Sequence, residues 1–179
     1  MSDHAQKDAL LRMLRASGAV RFGEFTLASG QTSDVYVDVK LAWTDPDNLA
    51  ILAQGLAARV GPTDRLAGME LGAVPLVVAT ALETHRPYSV IRKSAKDHGT
   101  RKRIEGEIPA RSTVLLIEDV STTGGTMVES VHLLRDAGAL VTRALVIIDR
   151  GAGAIDRLHE VGVSLEPLAT LAELRETRS

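Results

Sequence analysis

Apolar residues along the chain form short aliphatic runs that alternate with longer segments of helical spacing. Strands are predicted at residues 65–68, 88–92, 114–117, 144–148 and 163–167. Helices are predicted at residues 74–84, 126–137 and 154–161 and from Thr170, which forms a capping box with Glu173. Aliphatic strands separated by helices are typical of a parallel sheet covered on both faces. The pattern therefore predicts an α/β fold with a doubly wound, mainly parallel sheet flanked by helices.

The N-terminal part of the chain has a different pattern. It predicts a helix at residues 5–17 that ends at Gly18. Strands are then predicted at residues 20–22, 25–27 and 35–39. Asp45 and Pro46 are typical of an N-cap and a first helical position, and they predict a helix that reaches about residue 60. We expect about residues 1–40 to form a small N-terminal hood added to the core.

Composition narrows the class of protein. A chain of 179 residues, 45% hydrophobic and 25% charged, predicts a single globular domain over residues 1–179. The lack of cysteine excludes disulfides, thiolate metal sites and a cysteine nucleophile. Neither a membrane-length apolar run nor a signal-peptide pattern is present, so we expect a cytoplasmic protein without a membrane partner. The net charge of −2 argues against nucleic acid as a partner.

The segment from Val114 to Thr126 carries the most informative chemistry. A predicted buried strand leads to Glu118 and Asp119, and a loop of small hydroxyl residues and glycines then opens a helix. Ligands of open α/β sheets bind at the carboxyl ends of strands, and helix N-termini attract anions. Because carboxylates repel a bare phosphate, we expect this acidic pair to face sugar hydroxyls or a magnesium ion. A phosphorylated ribose meets both requirements; the alternative is an acidic strand end followed by an ordinary helix-capping turn.

Positive charge is concentrated between Arg92 and Arg103. This segment holds six lysines or arginines and one aspartate, a local charge of +5, whereas the other 167 residues sum to −7. The connection from Lys93 to Ser112 is 20 residues long, which exceeds the usual length of a structureless loop. We expect about residues 93–112 to form a mobile cationic lid, suited to a ligand such as diphosphate that is more negative than one phosphate. A solvated charge run or an RNA-contacting patch is the alternative.

Three further features bear on the ligand. Gly72 lies at a strand-to-helix junction, where it lets backbone approach a ligand closely. Arg150 follows a predicted strand and is suited either to a bidentate pair with a ligand carboxylate or to a structural role at a helix end. A P-loop motif is absent, residues 151–156 match a dinucleotide-binding fingerprint only in part, and the five histidines lack metal-ligand spacing.

Four segments together resemble the type I phosphoribosyltransferases, and specifically the orotate phosphoribosyltransferase family, over nearly the whole chain. They are Phe25–Gly30 with Ser33 and Tyr36, Arg92–Gly99, Glu118–Thr126 and Asp149–Arg150. The acidic loop marks the superfamily, whereas the Lys96-Asp97-His98-Gly99 lid and the Phe25–Gly30 motif are more specific to the orotate enzymes. The resemblance implies the type I phosphoribosyltransferase fold.

The resemblance also implies an activity and its residues. Orotate and 5-phosphoribosyl 1-pyrophosphate would give orotidine 5′-monophosphate and pyrophosphate in de novo pyrimidine synthesis, with Mg²⁺ held mainly by substrate and water rather than by side chains. Catalysis falls to Lys96, His98 and Asp119. Phosphoribosyl pyrophosphate binding falls to Arg92, Lys93, Lys96, His98, Glu118, Asp119, Val120, Ser121, Thr122, Thr123, Gly124, Gly125 and Thr126. Thr122 and Arg150 would bind orotate, and a homodimer would place lid residues of one subunit over the site of the other.

The chain departs from many bacterial relatives at two positions. Ala28 and Leu71 stand where those relatives have lysines that contact substrate or pyrophosphate. We expect the cations of residues 101–103 to restore part of that charge. Two alternatives stay open, a phosphoribosyltransferase for another base and a non-catalytic nucleic-acid-binding regulator with the same fold. We also expect no fused orotidylate decarboxylase, because the length leaves no space for one.

Overall fold

The computed structural model describes residues 3–26, 30, 32–94 and 102–176. The elements in the first half of the chain are α1 (Asp3–Ala16), β1 (Val20–Thr26), β2 (Thr32–Val37), α2 (Lys40–Trp43), α3 (Pro46–Ala57), β3 (Arg65–Met69) and α4 (Val74–Thr84). They are followed by β4 (Tyr88–Ile91), β5 (Ile104–Glu105), β6 (Thr113–Ser121), α5 (Gly125–Asp136), β7 (Leu140–Asp149), α6 (Ala154–Glu160), β8 (Ser164–Thr170) and α7 (Leu171–Glu176). From β3 onward, strands and helices alternate as predicted, except that β4, β5 and β6 follow one another without a helix between them.

Six strands form one sheet in the order β5-β4-β3-β6-β7-β8. All neighbours are parallel except β4 and β5, which are antiparallel. The chain leaves β3 toward β4 on one side, and it leaves β6 toward β7 and β8 on the other. The winding direction therefore reverses between β3 and β6, and the carboxyl ends of these two strands border a crevice of the kind that binds ligands. The predicted doubly wound, mainly parallel α/β sheet is confirmed.

Two apolar layers cover the faces of this sheet. Successive residues of β6 point to opposite layers, so Leu115 and Ile117 pack with α1, α3 and α4, whereas Leu116 packs with α5 and α6. Both layers consist almost entirely of aliphatic residues and alanine, and the largest buried side chains are leucines, isoleucines and methionine. The rigid packing of β6 between these layers fixes the backbone that carries the acidic pair. Among the described residues, no helix is long and apolar enough to cross a membrane.

The local helix signals are confirmed. The carboxylate of Asp45 accepts the backbone N–H groups of residues 47 and 48, each at 3.0 Å, and Pro46 is the first helical residue. Helix α4 has the predicted bounds. Thr170 and Glu173 exchange hydrogen bonds in both directions, as a capping box requires.

The N-terminal predictions need correction. The predicted strands 20–22 and 25–27 form one strand, β1, over the residues that the structure describes, with an irregularity in register between Phe22 and Phe25. Leu27 lies outside the described residues. The predicted strand 35–39 begins earlier and ends at Val37, and the short helix α2 follows it. Val39 is buried, as the alternating pattern requires, but its backbone is helical. The Asp38 carboxylate accepts the backbone N–H of Lys40 at 3.2 Å. This local turn overrides the strand pattern.

Two predicted segments differ where long-range pairing decides the outcome. The stretch predicted as a lid loop contains β5, which pairs Ile104 with Ile91 of β4. Strand β6 extends four residues beyond its predicted end, so Glu118 and Asp119 lie within the strand instead of after it. The strand β5 and the longer β6 both depend on hydrogen bonds to neighbouring strands, which a local sequence pattern does not reveal.

Candidate functional site

A cavity of about 420 Å³ lies at the crevice between the carboxyl ends of β3 and β6. That volume is within the range of small-molecule sites. The lining consists of Lys40, Met69–Gly72, Lys93 and Glu118–Met127. The structure therefore brings together the acidic pair, the loop that follows it, the Gly72 turn and one of the predicted cations.

The acidic pair forms the floor of this cavity. Glu118 is only 7% exposed, while Asp119 is half-buried. Burial first, and the nearby negative charge of Asp119 second, raise the pKa of the Glu118 carboxyl to about 8. The backbone N–H of Asp119 donates to Glu118 Oε1 at 3.0 Å, and the N–H of Val120 donates to Asp119 Oδ1 at 2.8 Å. These bonds hold both carboxyl groups in fixed positions from which they can accept hydrogen bonds from a ligand.

The turn after β3 approaches the acidic pair so closely that any side chain at Gly72 would force Asp119 to move. A Cβ atom on Gly72 would collide with the carboxylate of Asp119. The preceding Glu70–Leu71 peptide bond is cis, and Leu71 is 64% exposed. Glu70 Oε1 accepts the backbone N–H of Lys93 at 2.9 Å, which joins this turn to the end of β4.

The loop of residues 121–126, here named the glycine loop, has the geometry of an anion site. Gly124 has φ +76°, and a Cβ there would also come within 3.1 Å of Ala154 in helix α6. Helix α5 begins at Gly125, and its first N–H groups have no partner within the helix. Thr122, Thr123 and Thr126 are exposed around them. Backbone N–H groups and hydroxyls thus converge where a phosphate gains from the helix dipole.

Ser121 makes a different contact from its three threonine neighbours. Its hydroxyl donates to Asp149 Oδ1 at 2.6 Å, and both residues are buried. The N–H of Gly151 donates to the other oxygen of that carboxylate at 3.2 Å. The sequence pattern placed Ser121 among ligand-binding residues, but its hydroxyl proton is already used within the protein. The backbone of Arg150 donates to the Ser121 carbonyl at 3.0 Å, so Arg150 lies beside the glycine loop, outside the described cavity lining.

The predicted cations separate into two groups. Lys93 lines the cavity, whereas Arg92 lies outside the described lining and pairs with Glu105 at 3.5 Å. Arg103 donates to the carbonyl oxygens of Arg92 and Lys93, with its shortest bonds to them at 2.9 and 2.7 Å, and to Glu129 at 2.6 Å. These contacts give Arg103 a structural role, while the expectation that residues 101–103 restore positive charge stays a prediction. The guanidinium of Arg103 holds the base of the predicted lid, because it joins β4, β5 and α5.

Some predicted residues fall outside the described part of the chain. Lys96 and His98, predicted to be catalytic, and Ala28 belong to this group. Conversely, Lys40 lines the cavity although the motifs did not single it out. Among the described residues, no group of three or more histidine, aspartate or glutamate side chains is arranged to hold a metal ion.

Comparison with known proteins decides the family. The phosphoribosyl transferase domain family matches residues 47–169. The orotate phosphoribosyltransferase of Halobacterium salinarum is 47% identical over 167 residues, which cover 93% of this chain and 95% of that protein. The chain belongs to the orotate phosphoribosyltransferase family. The predicted membership is confirmed, and with it the expectation of a phosphoribosyltransferase enzyme.

Solved structures agree with this orotate phosphoribosyltransferase assignment. The crystal structure of the Aeropyrum pernix enzyme superposes with a TM-score of 0.84 at 33% identity and covers 94% of this chain and 97% of that chain. A Mycobacterium tuberculosis H37Rv orotate phosphoribosyltransferase in complex with 5-phospho-α-D-ribosyl 1-diphosphate superposes with a TM-score of 0.78 at 27% identity. That match covers 95% of this chain and 99% of the other.

Proposed function

We propose that the protein transfers the phosphoribosyl group of 5-phosphoribosyl 1-pyrophosphate to orotate, which yields orotidine 5′-monophosphate and pyrophosphate for pyrimidine synthesis. The observation that carries this proposal is that one cavity contains an acidic pair next to an anion-binding helix N-terminus. A carboxyl pair that suits hydroxyl groups, Glu118 and Asp119, leads directly into an anion-binding helix start. In a chain of this family, a phosphorylated sugar is the ligand that satisfies both.

The sugar phosphate follows from the geometry of β6 and α5. Glu118 and Asp119 would accept hydrogen bonds from the ribose hydroxyls, and the 5′-phosphate would occupy the glycine loop. The exposed hydroxyls of Thr122, Thr123 and Thr126, with the backbone N–H groups of Gly124 and Gly125, are its proposed donors. Val120 and Ser121 contribute backbone and packing, because the Ser121 hydroxyl donates to Asp149.

The diphosphate is proposed to lie on the other side of the acidic pair. The Gly72 turn lets backbone reach this region, and Lys93 supplies a positive charge. Lys96 and His98, which the family resemblance assigns to the same group, are proposed to approach it from the lid. Orotate would then be bound by Thr122 and by the guanidinium of Arg150, which is suited to a bidentate pair with the orotate carboxylate.

The chemistry is a displacement at the anomeric carbon. The bond from that carbon to the diphosphate oxygen breaks with its electron pair, and a ring nitrogen of orotate forms the new bond. Positive charge develops on the ribose, close to the carboxylate of Asp119, and negative charge develops on the departing diphosphate, close to cations. Preorganised charges of this kind stabilise a transition state by about 3 kcal/mol per well-placed donor. No covalent nucleophile is needed, in agreement with a chain that has no cysteine.

Magnesium fits this arrangement as an ion carried by the substrate. Mg²⁺ prefers carboxylate, phosphate and water oxygens and retains several waters. Asp119 lines the cavity and has a carboxylate that a Mg²⁺ ion can approach, and substrate phosphates and water are proposed to hold the rest of the ion's ligand sphere. When bound, it neutralises charge on the diphosphate.

A homodimer with shared sites is also proposed. Helix α4 has an apolar stripe formed by Pro75, Val78 and Leu82, and Leu82 is 73% exposed. A second copy of the chain would cover this stripe. Arg92, which pairs with Glu105 and lies outside the described cavity lining of its own chain, is proposed to contact the diphosphate in the site of the second subunit. Within each subunit we propose a single domain, residues 1–179, with a hood at about 1–40 and a lid at about 93–112.

Base specificity tests the proposed substrate. Wild-type protein with 5-phosphoribosyl 1-pyrophosphate and Mg²⁺ is assayed separately with orotate, uracil and adenine, by ultraviolet absorbance. Turnover of orotate alone is expected, and R150A is expected to lose orotate turnover. The proposal fails if uracil or adenine is the better substrate, or if R150A binds orotate as the wild type does.

A further inference from the structure

Lys40 is a positively charged cavity residue to which the family motifs give no role. It is the first residue of α2, and it lines the cavity together with Glu70, Asp119 and Lys93. Its side chain is 49% exposed. The ammonium group is therefore accessible to a ligand that enters from solvent.

The backbone and the side chain of Lys40 are both held in place. The carboxylate of Asp38 accepts the Lys40 backbone N–H at 3.2 Å and the ammonium group at 2.7 Å. The neighbouring residues Val39 and Ala42 are fully buried in the core, so α2 cannot shift without disturbing it. A cation held in this way loses little conformational freedom when a ligand binds.

The charges around Lys40 explain what it is suited to bind. The described cavity lining has three carboxyl groups, from Glu70, Glu118 and Asp119, and two ammonium groups, from Lys40 and Lys93. The hydrogen bond to Asp38 is the largest of several influences, including the charge of Asp119, that raise the pKa of Lys40. Lys40 thus stays charged, and it lines the same cavity as Asp119 and Gly72. The Gly72 turn is the region in which the diphosphate is proposed to lie.

We propose that Lys40 binds the diphosphate group of 5-phosphoribosyl 1-pyrophosphate and supplies a positive charge that Leu71, at the tip of the neighbouring turn, does not provide. The inference rests on the proposed function for the identity of the ligand. It adds a contact from α2, directly after the N-terminal hairpin, to the contacts that the sequence motifs predict.

Direct binding separates this role from turnover. Titration calorimetry with 5-phosphoribosyl 1-pyrophosphate and Mg²⁺, without orotate, is carried out on wild type, K40Q, K40R and D38N. D38N is the matched control, because it breaks the same ion pair and retains the lysine. K40Q is expected to weaken binding by roughly tenfold or more, the loss typical of a charge-assisted hydrogen bond. K40R and D38N are expected to stay within about threefold of wild type, since each keeps a cation at the site.

Steady-state kinetics on the same preparations complete the test. K40Q should raise the KM for phosphoribosyl pyrophosphate and leave the KM for orotate nearly unchanged. Unchanged affinity in K40Q, equal losses in K40Q and D38N, or a rise confined to the KM for orotate would each overturn the assignment. If wild type binds phosphoribosyl pyrophosphate without converting orotate, the proposed function fails, while the titration still decides the role of Lys40.

Discussion

The hydroxyl of Ser121 donates a 2.6 Å hydrogen bond to the buried carboxylate of Asp149. These residues are partners in the register of β6 and β7, and each stands at the last position of its strand. The bond joins the start of the glycine loop to the strand end that precedes Arg150. The two regions proposed to bind the 5′-phosphate and orotate are therefore held at a fixed separation by a group that binds neither.

Removal of this hydroxyl should affect stability more than ligand affinity. S121A leaves one oxygen of a buried carboxylate without its partner, which costs about 1–3 kcal/mol. We expect a lower free energy of unfolding in urea and an affinity for phosphoribosyl pyrophosphate within a few-fold of wild type. T122A, which removes an exposed hydroxyl of the same loop, should show the reverse. Equal stability of S121A and wild type would contradict the structural role of the bond.

Glu118 should make the ligand-free protein less stable as the pH rises. Its pKa is about 8 when folded and near the ordinary 4.5 when unfolded, so the folded state binds more protons between these values. Stability contributed by the protonated carboxyl is complete below about pH 4.5 and is lost as the pH approaches 8. E118Q keeps a neutral side chain and should be more stable than wild type at pH 8 by at least about 1 kcal/mol, with reduced turnover.

Thermal unfolding of wild type and E118Q from pH 5 to pH 8.5 measures this difference. The two curves should separate as the pH increases, because only wild type must ionise a buried carboxyl. Parallel curves would show that Glu118 ionises in the folded protein as easily as in the unfolded chain. The activity of both proteins is measured in parallel. E118Q is expected to be more stable and less active, because the carboxyl of Glu118 is proposed to bind the sugar hydroxyls.

Arg103 should influence turnover through the base of the lid. R103Q removes the hydrogen bonds to the carbonyl oxygens of Arg92 and Lys93 and the ion pair with Glu129. We expect kcat to fall at least about tenfold, because the Lys93 backbone loses these hydrogen bonds and the lysine is displaced. A small displacement of a positioning group commonly reduces turnover by this much or more. K102Q removes a neighbouring exposed charge and serves as the control. If R103Q and K102Q had the same activity, the hydrogen bonds of Arg103 would have no effect of their own on turnover, and its positioning role would be contradicted.

Leu82 tests the proposed dimer. L82D places a charge in the apolar stripe of α4, where a second subunit would bury it. Sedimentation should find a dimer for wild type and a monomer for L82D. Ile155 is also exposed and apolar, but it lies on α6, so I155D serves as the control and should form a dimer as the wild type does. A monomeric wild-type protein, or an L82D dimer of unchanged affinity, would contradict the proposed interface.

Local signals in the sequence predict much of this fold, and long-range contacts decide the remainder. The N-cap at Asp45 and the bounds of α4 depend on neighbouring residues, and both are confirmed. Helix α2 was missed, because the burial of Val39 in the core fits a strand as well as a helix. The structural contacts of Arg103 were not predicted, because its partners come together only when β5 pairs with β4.

The candidate site divides in the same way. The acidic pair and the glycine loop lie next to each other in the sequence, so their residue types predict the ligand directly. Lys40 reaches the same cavity from a segment 78 residues before Glu118, and no local pattern connects the two. Contacts of this kind depend on the packing of α2 against the core.

Phosphoribosyl transfer to orotate consumes one orotate for each pyrophosphate released, and this stoichiometry can be measured. Purified protein is mixed with orotate, 5-phosphoribosyl 1-pyrophosphate and Mg²⁺, and orotate loss and pyrophosphate release are followed together. We predict equal amounts of both and formation of orotidine 5′-monophosphate. In K96A we predict a rate lower by orders of magnitude at unchanged thermal stability. Pyrophosphate release without orotate consumption, or no reaction by correctly folded wild type, would contradict the proposed function.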